Sequence, residues 1–238
     1  MLSAHRGGPE GLFEPNSLEA MKASLDVGVD LIEFDVRTTS DGGFVTFHDA
    51  DVDIDGAPRP IAELTEDEVI AREPAAARVT DILHLIKGRA LGHVDLKDTR
   101  LELEIADLCE SVLGPTGFVL TTMEDESVAR IRAGRPHLVV GLSLGRDSTG
   151  LNKLQEFQLR MSEIFPGRRV RKCRANMLAL NYKIARLGAL RWARRHHIDV
   201  LVWTINEPDL IRSIANDERY WAFTTDYPRL ARQLRGAS

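Results

Sequence analysis

Short apolar runs alternate with amphipathic stretches along the whole chain. The apolar runs are Leu2–Ala4, Leu31–Val36, Phe44–His48, Leu91–Leu96, Gly117–Thr121, Leu138–Leu144, Met177–Asn181, Val200–Thr204 and Trp221–Thr225. Each has the length and apolar content of a buried strand. Between most of them the period changes. In Ser17–Asp26 a serine N-cap precedes Leu18, Met21 and Leu25, which fall on one helical face. Val79–Ile86, Leu101–Leu113, Glu126–Ala133, Ile184–His196, Pro208–Ala215 and Pro228–Leu234 read the same way. Strands alternating with helices predict a parallel sheet with helices outside.

Nine strands exceed the eight of a (β/α)₈ barrel by one. Ser40-Asp41-Gly42-Gly43 decides which to remove, because Asp-Gly between two strand-like runs signals a hairpin. A hairpin makes Phe44–His48 antiparallel to Leu31–Val36, so it is no barrel strand. The expected fold is an α/β (β/α)₈ TIM barrel, a single domain over 1–238, with an extra short hairpin strand at its C-terminal face. Arg146–Cys173 is the least regular part. Asp147–Phe165 is readable as a helix. The basic run Arg168-Arg169-Val170-Arg171-Lys172 reads as a solvated surface loop, with a lid or phosphate-attracting rim as the alternative.

Reactive groups of such barrels sit where strands end at the C-terminal face. Glu33 and Asp35 are two residues apart, hence on one face of a strand, and like charges at short range call for a cation between them or a raised pKa. Asp95, at another strand end, adds a third carboxylate. Three oxygen donors suit Mg²⁺ or Ca²⁺. If Asp41 and Gly42 alone form the hairpin loop, Asp35 faces His48 directly, which sets an imidazole beside the carboxylates. His5 is the second imidazole. In-line displacement at phosphorus uses one group to activate the nucleophile and one to protonate the leaving oxygen. Arg6 and Lys97 supply positive charge for a phosphate. Trp203 reads either as core or as an apolar wall against the substrate. The remaining histidines, His84, His93, His137, His196 and His197, read as structural or exposed.

These residues resemble the glycerophosphodiester phosphodiesterase family. The resemblance rests on His5-Arg6-Gly7, Asn16-Ser17-Leu18-Glu19-Ala20, Glu33-Phe34-Asp35-Val36, Asp41-Gly42 and His48-Asp49. It continues through Glu63-Leu64-Thr65, Asp95-Leu96-Lys97, Trp203-Thr204-Ile205-Asn206 and Thr225-Asp226-Tyr227-Pro228. It implies a barrel with one divalent cation at its mouth and hydrolysis of a glycerophosphodiester to sn-glycerol 3-phosphate and an alcohol. It also implies His5 and His48 as the acid/base pair, Glu33 and Asp35 as metal carboxylates, and Arg6 on the phosphate. Three features depart from the family pattern: Glu14-Pro15 stand in exchanged order, Asp95 replaces the usual glutamate, and Asp51–Gly56 replaces the usual stretch after the ribbon. Asp95-x-Lys97 also resembles the sphingomyelinase D group. The alternative is therefore a lysophospholipase D or cyclising phosphotransferase on a larger lipid, and a lesser one is a non-catalytic phosphate-binding barrel.

Composition narrows the partners. A net charge of −5 argues against a broad nucleic-acid-binding face, which leaves a small-molecule phosphodiester or a lysolipid as the expected partner. No apolar run reaches transmembrane length. His5 and Arg6 arrive too early for a signal peptide, and Cys109 and Cys173 form no framework, so a cytoplasmic protein is expected.

Overall fold

The computed structural model describes residues 1–235. Eleven strands form among them: β1 (Leu2–Ala4), β2 (Leu31–Thr38), β3 (Phe44–Thr46), β4 (Asp51–Ile54), β5 (Ala57–Pro60), β6 (Leu91–Leu96), β7 (Phe118–Thr122), β8 (Val140–Leu144), β9 (Met177–Asn181), β10 (Asp199–Trp203) and β11 (Ala222–Thr225). β1, β2 and β6–β11 pair in parallel, and β11 returns to β1, closing an eight-stranded ring. β3 lies outside the ring, antiparallel to β2. The barrel and its extra strand are those expected from the alternation of patterns.

Alternation along each strand sorts the core into two layers. In β2, Ile32, Phe34 and Val36 point outward and join the layer between sheet and helices. Leu31 points inward and packs with Val119, Met177, Ala179, Leu201 and Ala222 in the barrel interior. Glu33 and Asp35 share the inward face with Leu31. The strand pattern thus delivers both carboxylates into the barrel, above an apolar floor.

The helices are α1 (Leu18–Val27), α2 (Glu66–Arg72), α3 (Val79–Ile86), α4 (Glu102–Leu113), α5 (Asp125–Gly134), α6 (Lys153–Ile164), α7 (Gly167–Cys173), α8 (Tyr182–Ile184), α9 (Leu190–Arg195), α10 (Pro208–Ala215) and α11 (Pro228–Arg235). Ser17 caps α1 by accepting from the Ala20 N–H, as its position predicts. The single helix expected over Ile184–His196 is instead broken by a π turn at Ala185–Ala189, where Gly188 sits at φ 142°.

Two local readings are corrected, and one element was not expected. The hairpin loop has three residues, not two. Thr38 pairs with Phe44 and Val36 with Thr46, and Gly42 takes the left-handed conformation at φ 82° that closes a three-residue loop. Asp41 is held there by the Thr39 hydroxyl and by the Glu66 N–H. The pairing therefore shifts by one residue, and Asp35 accepts from the Phe47 N–H, so His48 does not face Asp35 across the ladder. The basic run 168–172 is not a loop: it forms most of α7, with Val170 and Cys173 buried and Arg169 paired to Asp125 at 2.6 Å. Finally, β4 and β5 make a second ribbon around Asp55-Gly56, both at positive φ as a two-residue primed turn requires.

Phe34 is fully buried between β2 and the helices. Phe34→Ala is expected to destabilise the fold by about 3–5 kcal/mol, read as a lowered midpoint in chemical denaturation with an unchanged slope.

Candidate active site

The C-terminal mouth of the barrel holds one cavity of about 100 Å³. It brings together all eight residues singled out from the sequence: His5, Arg6, Glu33, Asp35, His48, Asp95, Lys97 and Trp203.

The carboxylates come from neighbouring strands in matched register, Asp35 beside Asp95. One oxygen each from Glu33, Asp35 and Asp95 lie within 4.8 Å of one another. Burial pushes Glu33 up to about 7, with the Asp35 charge adding to the effect and His5 opposing it. Burial likewise opposes ionisation of Asp35, but Lys97 and Arg6 overcome it and hold that carboxyl below the usual range. Lys97 Nζ lies 2.8 Å from Asp35 Oδ1 and 2.5 Å from Asp95 Oδ2. Arg6 Nε lies 3.1 Å from Asp35 Oδ2.

Backbone conformation places these groups. After β1 the chain turns through three left-handed residues, Arg6 (φ 49°), Gly7 (φ 80°) and Gly8 (φ 68°). A Cβ on Gly8 would lie 2.6 Å from both Pro228 and Ser24, so glycine is required there for close approach as well as for φ. The turn aims the Arg6 N–H at Glu33 Oε2, 2.6 Å away. Asn16, itself left-handed at φ 66°, accepts from the Asp35 N–H at 3.0 Å and donates to Asp35 Oδ2 at 2.9 Å. Glu33 Oε1 receives no donor from the described residues. An orphaned oxygen in a crowded, all-oxygen cluster fits a hard divalent cation. Glu33, Asp35 and Asp95 would hold it, although Lys97 already draws on Asp35 and Asp95 and the Thr121 hydroxyl donates to Asp95 Oδ1 at 2.6 Å.

The two imidazoles differ in their supports. His5 Nδ1 lies 2.6 Å from Asp226 Oδ1, and Asp226 is fixed by the Asn206 side chain, which donates to its Oδ2 at 2.5 Å and accepts from its N–H at 3.0 Å. Burial disfavours His5⁺, but Glu33 and Asp226 outweigh it and raise the His5 pKa. His48 is more exposed; its Nδ1 pairs with Asp49 at 2.8 Å. The Arg37 guanidinium grips the His48 carbonyl at 2.7 Å and Asp98 at 2.7 Å, which fixes the loop that carries His48.

Several members of the site were not foreseen. Asp226 stands at the end of the last strand, where reactive groups are expected, but its partner His5 is 221 residues away and no local spacing links them. Asn206 and Arg37 act only through tertiary contacts. Thr224 lines the cavity with a buried hydroxyl that has no partner. His93, read as structural or exposed, forms part of the cavity lining; burial pushes its pKa down to about 4, so it is neutral and bridges Ser3 and Thr121.

Comparison with known proteins agrees with this geometry. Residues 5–112 match the model of the Glycerophosphoryl diester phosphodiesterase family. A glycerophosphodiester phosphodiesterase of Caldanaerobacter subterraneus is 42% identical over 53 residues, which spans 22% of this chain and only 21% of that relative. A glycerophosphodiester phosphodiesterase from Thermotoga maritima superposes with a TM-score of 0.76 at 20% identity, covering 98% of this chain and 97% of the other. An Oleispira antarctica phosphodiesterase, solved with the product sn-glycerol-3-phosphate, gives 0.74 at 17% identity, with 98% and 96% covered. The structural likenesses establish the fold along the chain, and the sequence similarity is confined to its N-terminal part. His5, the three carboxylates and His48 all lie within residues 5–112, the part of the chain that is similar to the glycerophosphodiester phosphodiesterase family.

Proposed function

We propose that the whole chain acts as one domain, a metal-dependent phosphodiesterase that hydrolyses a glycerophosphodiester to sn-glycerol 3-phosphate and an alcohol. The observation that carries this reading is the convergence of three carboxylates, two cations and two imidazoles on one small cavity. A bound Mg²⁺ or Ca²⁺ would neutralise the carboxylates and polarise the phosphoryl oxygens. Arg6 and Lys97 offset the charge of the phosphodiester and its increase on attack. One imidazole takes the proton of the attacking water, and the other returns a proton to the departing alkoxide, so the alcohol leaves neutral. His5 is suited to such transfer because Asp226 holds its Nδ1–H and thereby turns Nε2 toward the cavity. Trp203, at the rim of the interior apolar layer, gives the organic part of the substrate a flat wall.

About 100 Å³ accommodates the phosphate and little else. The leaving alcohol therefore extends into the mouth, where its size is unrestricted. Exposed apolar side chains around that mouth favour a second reading, release of a head group from a lysolipid by hydrolysis or cyclisation. No helix among the described residues is long and apolar enough to cross a membrane. The two buried, unlinked thiols support a cytoplasmic placement.

A panel of glycerophosphodiesters and lysolipids, assayed with Mg²⁺, Ca²⁺ or chelator, tests the reading; turnover that survives chelation would exclude metal dependence. His5→Ala and His48→Ala are each expected to lower kcat by about 10²–10⁴-fold with the melting temperature little changed. Asp35→Asn is expected to abolish measurable Mg²⁺ and Ca²⁺ binding in a calorimetric titration. Asp226→Asn removes a carboxylate that favours the charged imidazole, so the His5 titration midpoint, followed by NMR, is expected to move to lower pH.

A further inference from the structure

Among the described residues, nine large apolar side chains are exposed, and all nine lie on connections that leave the C-terminal ends of barrel strands. Four of them, Leu154, Phe157, Met161 and Phe165, follow the spacing of a single helical stripe along α6 and its end. Leu154, Phe157 and Phe165 are each more than 60% exposed, so the stripe has no partner among the described residues. Leu151 precedes it, and Leu187 extends it from the π turn after α8, the segment α6 packs against. Leu12 and Phe13, after β1, and Tyr227, after β11, stand elsewhere around the same mouth.

Charge is distributed as unevenly. Residues 151–197 contain twelve Lys and Arg against two Glu, whereas the rest of this acidic chain contains nineteen against thirty-four Asp and Glu. Both glutamates are unavailable or outnumbered. Glu163 is fully buried, where it accepts from the Gly145 and Arg146 N–H groups and from Arg160, and so ties α6 to the end of β8 beside the cavity. Lys153, Arg168, Lys183 and Arg186, close to the apolar stripe in sequence or fold, are exposed and form no ion pair among the described residues.

An apolar helical stripe bordered by unpaired cations is the composition of a segment that lies in a membrane interface and is drawn to anionic lipid. We propose that the mouth of this barrel docks on an anionic lipid surface through α6 and Leu187, with Lys153, Arg168, Lys183 and Arg186 facing the head groups. Docking in this pose turns the cavity toward the bilayer. Charge complementarity selects this occupant over a second copy of the chain, whose matching stripe would bring the two basic sectors together. The proposal goes beyond the catalytic reading, since lipid binding requires no turnover.

The test is sedimentation of the full chain with vesicles of phosphatidylglycerol and phosphatidylcholine in equal parts, against phosphatidylcholine alone. At least tenfold more protein is expected on the anionic vesicles. Leu154→Glu with Phe157→Glu is expected to reduce that binding at least tenfold, and Lys183→Glu with Arg186→Glu to remove the preference for anionic lipid. Both double variants should keep the wild-type melting temperature and hydrolysis of bis(p-nitrophenyl) phosphate. Equal sedimentation of wild type and variants, or no sedimentation, overturns the proposal. So does a wild-type dimer in analytical ultracentrifugation that Phe157→Glu splits. Vesicle binding without any phosphodiester hydrolysis would instead sink the catalytic reading and leave this one standing.

Discussion

Three carboxylates facing one point, with Glu33 and Asp35 buried and Asp95 half-buried, are the constraint around which the mouth of this barrel is arranged. At separations below 5 Å, two unit charges repel by roughly 4 kcal/mol for an effective dielectric of about 20. Three such pairs approach the whole net stability of a typical domain, about 5–15 kcal/mol. The cluster therefore persists only with compensation, and the chain supplies it from three directions. Lys97 bridges Asp35 and Asp95, Arg6 approaches Asp35 from the β1 turn, and Asn16 satisfies Asp35 from the start of α1. Glu33 is left with the smallest share, one backbone N–H and the partial charge of His5, and it is the carboxyl pushed up to about 7. Where compensation is thinnest, the site is most receptive to an added cation.

This arrangement explains why the first turn of the chain is so constrained. Arg6, Gly7 and Gly8 must all be left-handed to bring one backbone N–H to Glu33 and one guanidinium to Asp35. The same turn presents His5 to Asp226, at the far end of the sequence, because β1 is the strand on which the ring closes. Closure of the barrel and assembly of the His5–Asp226–Asn206 chain are one event: without the β11–β1 pairing neither exists.

Sequence patterns carried the barrel because its signals are local. Apolar runs of strand length, alternating with helical periods, need no distant partner to be recognised, and Asp41-Gly42 marked β3 as a strand outside the ring. Register was less accessible. Asp-Gly is compatible with a two-residue or a three-residue loop, and the choice here depends on Glu66, whose N–H holds Asp41. A similar pair, Asp55-Gly56, went unread because Pro58 and Pro60 obscure the strand β5. α2, which starts at a Thr65–Glu68 capping box, was not expected, because it is short and has few apolar positions to mark a helical face. Within the site, most residues that line the cavity were legible as polar groups at strand ends. The supports were not: Asp226, Asn206 and Arg37 have meaning only after folding brings them to His5 and to the His48 carbonyl.

The net charge of −5 conceals two opposite demands on the electrostatics of the molecule. Inside the mouth, negative charge is concentrated in a space where it can be offset only by fixed cations or by a bound ion. Outside, along α6 to α9, positive charge is concentrated where water and salt screen it and where few protein partners have been provided. On the proposed function, a phosphodiester approaching the mouth would first meet the screened, basic exterior, where attraction is weak and reversible, and then the enclosed cations Arg6 and Lys97, where the low dielectric would make each contact stronger. Lys97 and Arg6, paired with Asp35 and Asp95, offset the negative charge that such an anion would meet there. Separating attraction at long range from compensation at short range would let a chain that is acidic overall recognise an anion.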